Sequence, residues 1–215
     1  MCAGYRRRIA PDQTDRDSIE RPDGLDAPAP EAGYRWERFW IPPRVATDEG
    51  FEQFFVAPDD RSKAYLPAIE CWTLAELREQ PCVVLLGEPG LGKTRAVRAA
   101  ALALKAEARN GESVQYLDLG KETETSAIRT ELTGDPAWGE WVEEGKTLHL
   151  FLDSFDEALL HLRAVHRALV DELRKVGPDG LSRLRLRVVS RSADWIEDFD
   201  NELRELWGGG DDVPL

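Results

Sequence analysis

Cys82-Val-Val-Leu-Leu86 runs directly into Gly87-Glu-Pro-Gly-Leu-Gly92-Lys93-Thr94, and an Ala-rich stretch follows. The first five residues form a short apolar run, as expected of a strand buried on both faces of a parallel sheet. The next eight fit G-x-x-x-x-G-K-[ST] at every fixed position. Residues 93–109 read as a helix that Asn110-Gly111 stops. Strand, glycine loop and helix, in that order, are the setting a phosphate-binding loop needs. Gly87, Gly90 and Gly92 let the backbone curl, so that the N–H groups from Gly90 through Leu91 and Gly92 to Thr94 point inward at phosphate oxygens. The helix N-terminus adds its partial positive charge. Lys93 is then expected to reach the β- and γ-phosphates of a nucleotide, and the Thr94 hydroxyl to ligate Mg²⁺.

Such a loop needs a second, acidic element. Leu148-His-Leu-Phe-Leu-Asp153 is an apolar strand ending in an acid, so Asp153 is expected to face the loop and hold the metal, directly or through water. Asp156 and Glu157 follow closely. Acids are favoured at a helix start, and a solvated first turn explains them without any chemistry. The functional alternative is that Glu157, or Asp156, orients the water that attacks the γ-phosphate.

Around these motifs the pattern alternates. Val114–Leu119 reads as a strand near a sheet edge, Leu184–Ser190 as a fourth strand, and 136–144 as a short helix carrying Trp138 and Trp141. Between strands, Leu159, Leu162, Val165, Leu169, Leu173 and Val176 form one apolar helical face that Gly177-Pro178 ends. Ile196, Phe199, Leu203 and Leu206 stripe a last helix. The fold class is therefore α/β, a parallel sheet with helices on both faces and right-handed crossovers. Arg183, Arg185 and Arg187 alternate along the fourth strand, which ought to be central and apolar. The first half of that strand is expected to project beyond the sheet.

The string Leu150-Phe-Leu-Asp-Ser-Phe-Asp-Glu-Ala158 resembles the modified Walker B element of the NACHT family, in the STAND class of P-loop NTPases. In that pattern the metal-binding Asp is followed by a small residue, a hydrophobic one and an acidic pair, matched by Ser154, Phe155 and Asp156-Glu157. The loop GEPGLGKT and the strand end VVSRSADW are also similar to bacterial members, over residues 73 to 210. The resemblance implies a module that binds ATP with Mg²⁺, hydrolyses it slowly and self-associates on activation, in bacterial antiphage defence or regulation. It also places Arg191 at the sensor position near the γ-phosphate; a strand-end surface arginine is the plainer reading. It implies a five-strand sheet in order 5-1-4-3-2, of which four strands are legible here. The chain ends at Asp211-Asp-Val-Pro-Leu215, where the fifth should begin, so it reads as a truncated chain or N-terminal fragment. A nucleotide-binding or interaction module that does not turn over is the competing expectation. A helicase-like motor would carry a catalytic acid directly after Asp153, where Ser154 stands.

Composition narrows the partners. The chain has 215 residues and a formal charge of −13, which argues against general electrostatic binding to nucleic acid or anionic membrane. No run of about 18 apolar residues exists to span a bilayer, and no apolar stretch follows the charged start, so a cytoplasmic location is expected. Cys2, Cys71 and Cys82 lack a metal or disulfide spacing, and Cys82 reads as core. Residues 1–32 hold four prolines and many charges and read as a disordered tail. Residues 33–80 carry nine of the 18 aromatics, with nine acids against six bases, which favours packing onto the core over base stacking. Adenine recognition is assigned to this segment. Thr73-Leu-Ala-Glu76 is a capping box expected to start a short helix. His149 reads as a buried, hydrogen-bonded histidine; His161 and His166, five apart, are off the spacing of a zinc pair.

Overall fold

The computed structural model describes Trp40 and residues 72–107, 111–122, 124–162 and 164–207. The tail, most of the aromatic-rich segment and the last residues, 208–215, lie outside the described residues, and so do the expectations that fall on them.

Four strands, β1 (Cys82–Leu86), β2 (Glu112–Asp118), β3 (Thr147–Asp153) and β4 (Leu184–Ser190), form one sheet in the order β1-β4-β3-β2. All three pairings are parallel. Helix α1 (Lys93–Glu107) connects β1 to β2, and α2 (Thr125–Gly134) and α3 (Pro136–Val142) connect β2 to β3. Helices α4 (Phe155–His161) and α5 (Val165–Ser182) connect β3 to β4, and α6 (Glu197–Leu206) follows β4.

Period-two alternation along the strands divides the core. Cys82, Leu148, Leu150, Leu152, Leu184, Leu186 and Val188 face α2 to α6 in the larger cluster. Val83, Leu85, Phe151 and Val189 face the other way, against Val97 and Ala101 of α1. Trp40 joins this second cluster, and its backbone exchanges two hydrogen bonds with Trp72, at 2.7 and 2.9 Å.

Three features depart from the sequence reading. The connector after β2 holds a whole helix, α2, because Ile128 and Leu132, one turn apart, bury almost completely while most of its other positions are polar. The apolar stripe from Leu159 to Val176 is interrupted: α4 closes at His161, and α5 begins at Val165. Gly177 (φ 80°, ψ 178°) does break α5, and Pro178 opens one further turn. The capping box also forms, Thr73 N–H to Glu76 Oε2 at 2.7 Å and Glu76 N–H to Thr73 Oγ1 at 3.2 Å. Yet the segment it opens stays a run of turns through Glu79 instead of a helix.

The arginine alternation explains that turn. Arg187, only 3% exposed, donates from one terminal nitrogen to the carbonyls of Leu77 and Arg78 and from the other to those of Gln80 and Leu186. Its guanidinium clasps the end of the turn against the bottom of the sheet, so β4 does not need to leave the sheet. Burial pulls the Arg187 pKa down to about 10. Arg185 bonds the carbonyls of Ser182 and Leu184, and Arg183 lies before the strand. Close by, His149 is buried with its Nε2 3.7 Å from Glu112 and without a hydrogen bond; burial holds its pKa below the ordinary value.

Phe155, Trp195 and Phe199 form an aromatic knot between the start of α4 and α6, with Phe155 stacked on Phe199 at 4.7 Å and Trp195 at 5.6 and 5.3 Å from the two rings.

Candidate functional site

The strand ends converge on a cleft of about 290 Å³. It is lined by Pro89, Gly90, Gly92, Lys93 and Thr94 from the glycine loop, by Asp153, Ser154, Asp156 and Glu157 from the end of β3 and start of α4, and by Val189 of β4 and Arg191 just after that strand. Position at the carboxyl ends of parallel strands is where α/β sheets bind ligands.

The glycine loop curls as its residue types demand. Gly90 and Gly92 take φ of 81° and 73°, a region where a side chain is strained. The Lys93 ammonium donates to the carbonyls of Gly87 (2.5 Å) and Glu88 (3.0 Å), holding it over the loop. Partial burial pulls its pKa below the ordinary value, with the Asp156 carboxylate opposing that shift and Arg191 adding to it.

Asp153 sits in register with Asp118 at the end of β3 and is 1% exposed. Its Oδ1 accepts from the Ser154 N–H at 2.9 Å and from the Thr94 hydroxyl at 3.3 Å. The loop hydroxyl and the strand-end acid, 59 residues apart, are thus neighbours. Ser154 turns the chain out of the strand at φ 58°, the one positive φ among the described non-glycine residues. Such backbone positions cluster at functional sites.

The acidic pair splits. Asp156 is buried and its Oδ2 meets the Arg191 Nε at 2.7 Å. Glu157 is exposed to the cleft but packs over Gly120 in the turn after β2, where an added Cβ would stand 2.6 Å from its Oε2 and 3.0 Å from the Ser154 Cβ. A side chain at position 120 would have to displace the Glu157 carboxylate from this place. All the residues singled out from sequence at the site (Gly90, Gly92, Lys93, Thr94, Asp153, Asp156, Glu157 and Arg191) line one cleft, with Gly87 bonded to Lys93 and Leu91 within the same loop.

Two residues escaped sequence reading. Gly120 lies in a segment whose only sequence signal is its glycine. Tyr116 of β2 donates its hydroxyl to Asp153 Oδ2 at 2.7 Å. β2 and β3 pair Tyr116 with Phe151 and Asp118 with Asp153, so Tyr116 and Asp153 share a face and stand one step apart on the diagonal. Burial and the adjacent Asp153 push the Tyr116 pKa well above the ordinary phenol value. Only the strand pairing brings the two together.

Thr94 and Asp153 offer hard oxygen donors, and a site of one hydroxyl and one carboxylate beside phosphates suits Mg²⁺. Among the described residues no group of three or more His, Cys, Asp or Glu is placed to hold a metal alone, and no helix is long and apolar enough to cross a membrane.

No protein-family model matches the chain, and no curated protein does. Among solved structures it is similar to Cdc6p from Pyrobaculum aerophilum, at 19% identity and a TM-score of 0.45. The match covers 60% of this chain and spans 37% of the length of that protein. The sheet order and the glycine loop are more specific than that superposition. The fold is that of a P-loop NTPase.

Proposed function

We propose that the chain binds ATP with Mg²⁺ and hydrolyses it slowly, as a nucleotide-driven signalling switch of the NACHT-like, STAND kind. The observation that carries this reading is the convergence of Thr94 on Asp153, 3.3 Å apart, beside the Lys93 ammonium. Inward N–H groups of residues 90–94 hold the phosphates, and Lys93 takes the β- and γ-oxygens. Thr94 and Asp153 would hold Mg²⁺, which when bound neutralises charge developing on the phosphates. Glu157, facing the cleft, is the residue best placed to orient water, with Asp156 held for that task or for Arg191. Arg191 reaches the same cleft from the end of β4, as a γ-phosphate sensor would. The spacing from Asp153 through Ser154 to Asp156-Glu157 supports the NACHT-like reading. Cytoplasmic placement, self-association on activation and a role in bacterial defence or regulation follow from it.

A second reading is a nucleotide-binding module without turnover. The pairing of Asp156 with Arg191 favours it, because each group then occupies the other.

Binding of a fluorescent ATP analogue, with and without Mg²⁺, to the wild type and to Lys93→Ala tests the assignment. Loss of a charge-assisted contact worth about 1.5–3 kcal/mol predicts a roughly tenfold to 150-fold weaker complex. Equal affinities would sink the phosphate-loop reading.

A further inference from the structure

Asp153 is a buried carboxylate whose two oxygens have different company. Oδ1 faces Thr94 and the Ser154 N–H; among the described residues Oδ2 accepts from Tyr116, at 2.7 Å. We propose that Tyr116 is a positioning residue for the cation site: its hydroxyl fixes Asp153 so that Oδ1 stays turned toward Thr94. This rests on the reading of the cleft as a site for ATP with a divalent cation.

The torsion that swings a carboxylate about its Cβ–Cγ bond is broad and soft, so a strand end alone does not hold Asp153 in one orientation. A donor on each oxygen does. The type of donor also matters. A lysine or arginine at position 116 would neutralise the charge that a cation needs, whereas a hydroxyl orients the carboxylate and leaves its charge in place. Tyr116 is itself fixed. Its ring packs against the cluster of Val97 and Phe151, and the Arg98 guanidinium lies 5.9 Å from the ring centre. A strand that contributes nothing to the glycine loop therefore reaches the metal-binding acid through one phenol. Groups that orient metal ligands typically change metal affinity about 10–100-fold when removed.

Tyr116→Phe keeps the ring and its packing and removes only the donor. With the fluorescent ATP analogue bound, Mg²⁺ is titrated optically, and Mn²⁺ by electron paramagnetic resonance, on wild type and variant. Analogue affinity in EDTA and the melting temperature are measured alongside. The expected result is a divalent-cation affinity lowered roughly tenfold, with binding in EDTA and melting temperature as in the wild type. Identical cation titrations would overturn the proposal. So would a variant that also loses binding in EDTA or melts early, because that pattern belongs to a packing residue. A wild type that takes up neither nucleotide nor cation would instead bring down the reading of the site itself.

Discussion

The two ends of the sheet both bury charge, and they do so in opposite ways. Below the amino-terminal end of β1, Arg187 from the middle of β4 spends its donors on four backbone carbonyls, three of them from residues 77–80. At the carboxyl ends, Asp153 is held by side chains and an amide from three separate places, Thr94, Tyr116 and Ser154, and one side of the arrangement opens on a cleft. The first is a closed fastening, complete within the protein. In the second, charged groups of both signs (Lys93, Arg191, Asp153 and Asp156) face common space. A buried charge alone therefore does not mark a site; convergence of several elements on an open volume does.

The sharpest way to break this contrast is to exchange the outcomes. Arg187→Met leaves the turn carbonyls without their donor and is expected to cost about 3 kcal/mol of stability, read from urea unfolding, while analogue affinity stays within a factor of two. A stable variant with a damaged site would reverse the assignment of the two ends. Next in size, Glu157→Gln should leave ATP binding intact and slow hydrolysis roughly 100-fold, the scale of a lost general base, measured as steady-state phosphate release. An unchanged rate would transfer the role to Asp156 or favour the module without turnover.

The last effect lies in the closed core and shows only at alkaline pH. Burial pushes the Cys82 thiol from its ordinary 9.0 up to about 12. The unfolded chain releases this proton above pH 9 while the folded chain keeps it. The resulting stabilisation is full below pH 9 and is lost as pH rises toward 12. Cys82→Ala should therefore show a shallower alkaline loss of stability than the wild type in urea midpoints taken across that window, and an identical slope would refute the assignment.

What was legible in the sequence was local. The glycine loop, the apolar run ending in Asp153 and the alternation of strand and helix signals each sit within one short window, and they suffice for the fold and most of the cleft. Non-local pairing was not legible. Tyr116 became a partner of Asp153 only through the β2–β3 register, and Arg187 looked misplaced in β4 until the turn beside it was known to present its carbonyls. Helix α2 was missed because two buried residues in ten give a weak periodic signal. That the stripe belongs to two helices, one ending at His161 and the next beginning at Val165, was hidden for the opposite reason, since apolar residues on both sides keep the spacing of one continuous helix.

The aromatic knot of Phe155, Trp195 and Phe199 gives the rim of the cleft an unusual freedom to vary. Asp156 follows Phe155 directly and Arg191 precedes Trp195 by four positions, so both stand on a chain path anchored by apolar rings, with Phe155 and Phe199 fully buried. Their charges decorate the rim without holding it up. Because the buried Asp156 is paired with Arg191, the acid and the arginine can be rewritten together, by mutation or by an experimenter, while the platform that carries them stays where it is.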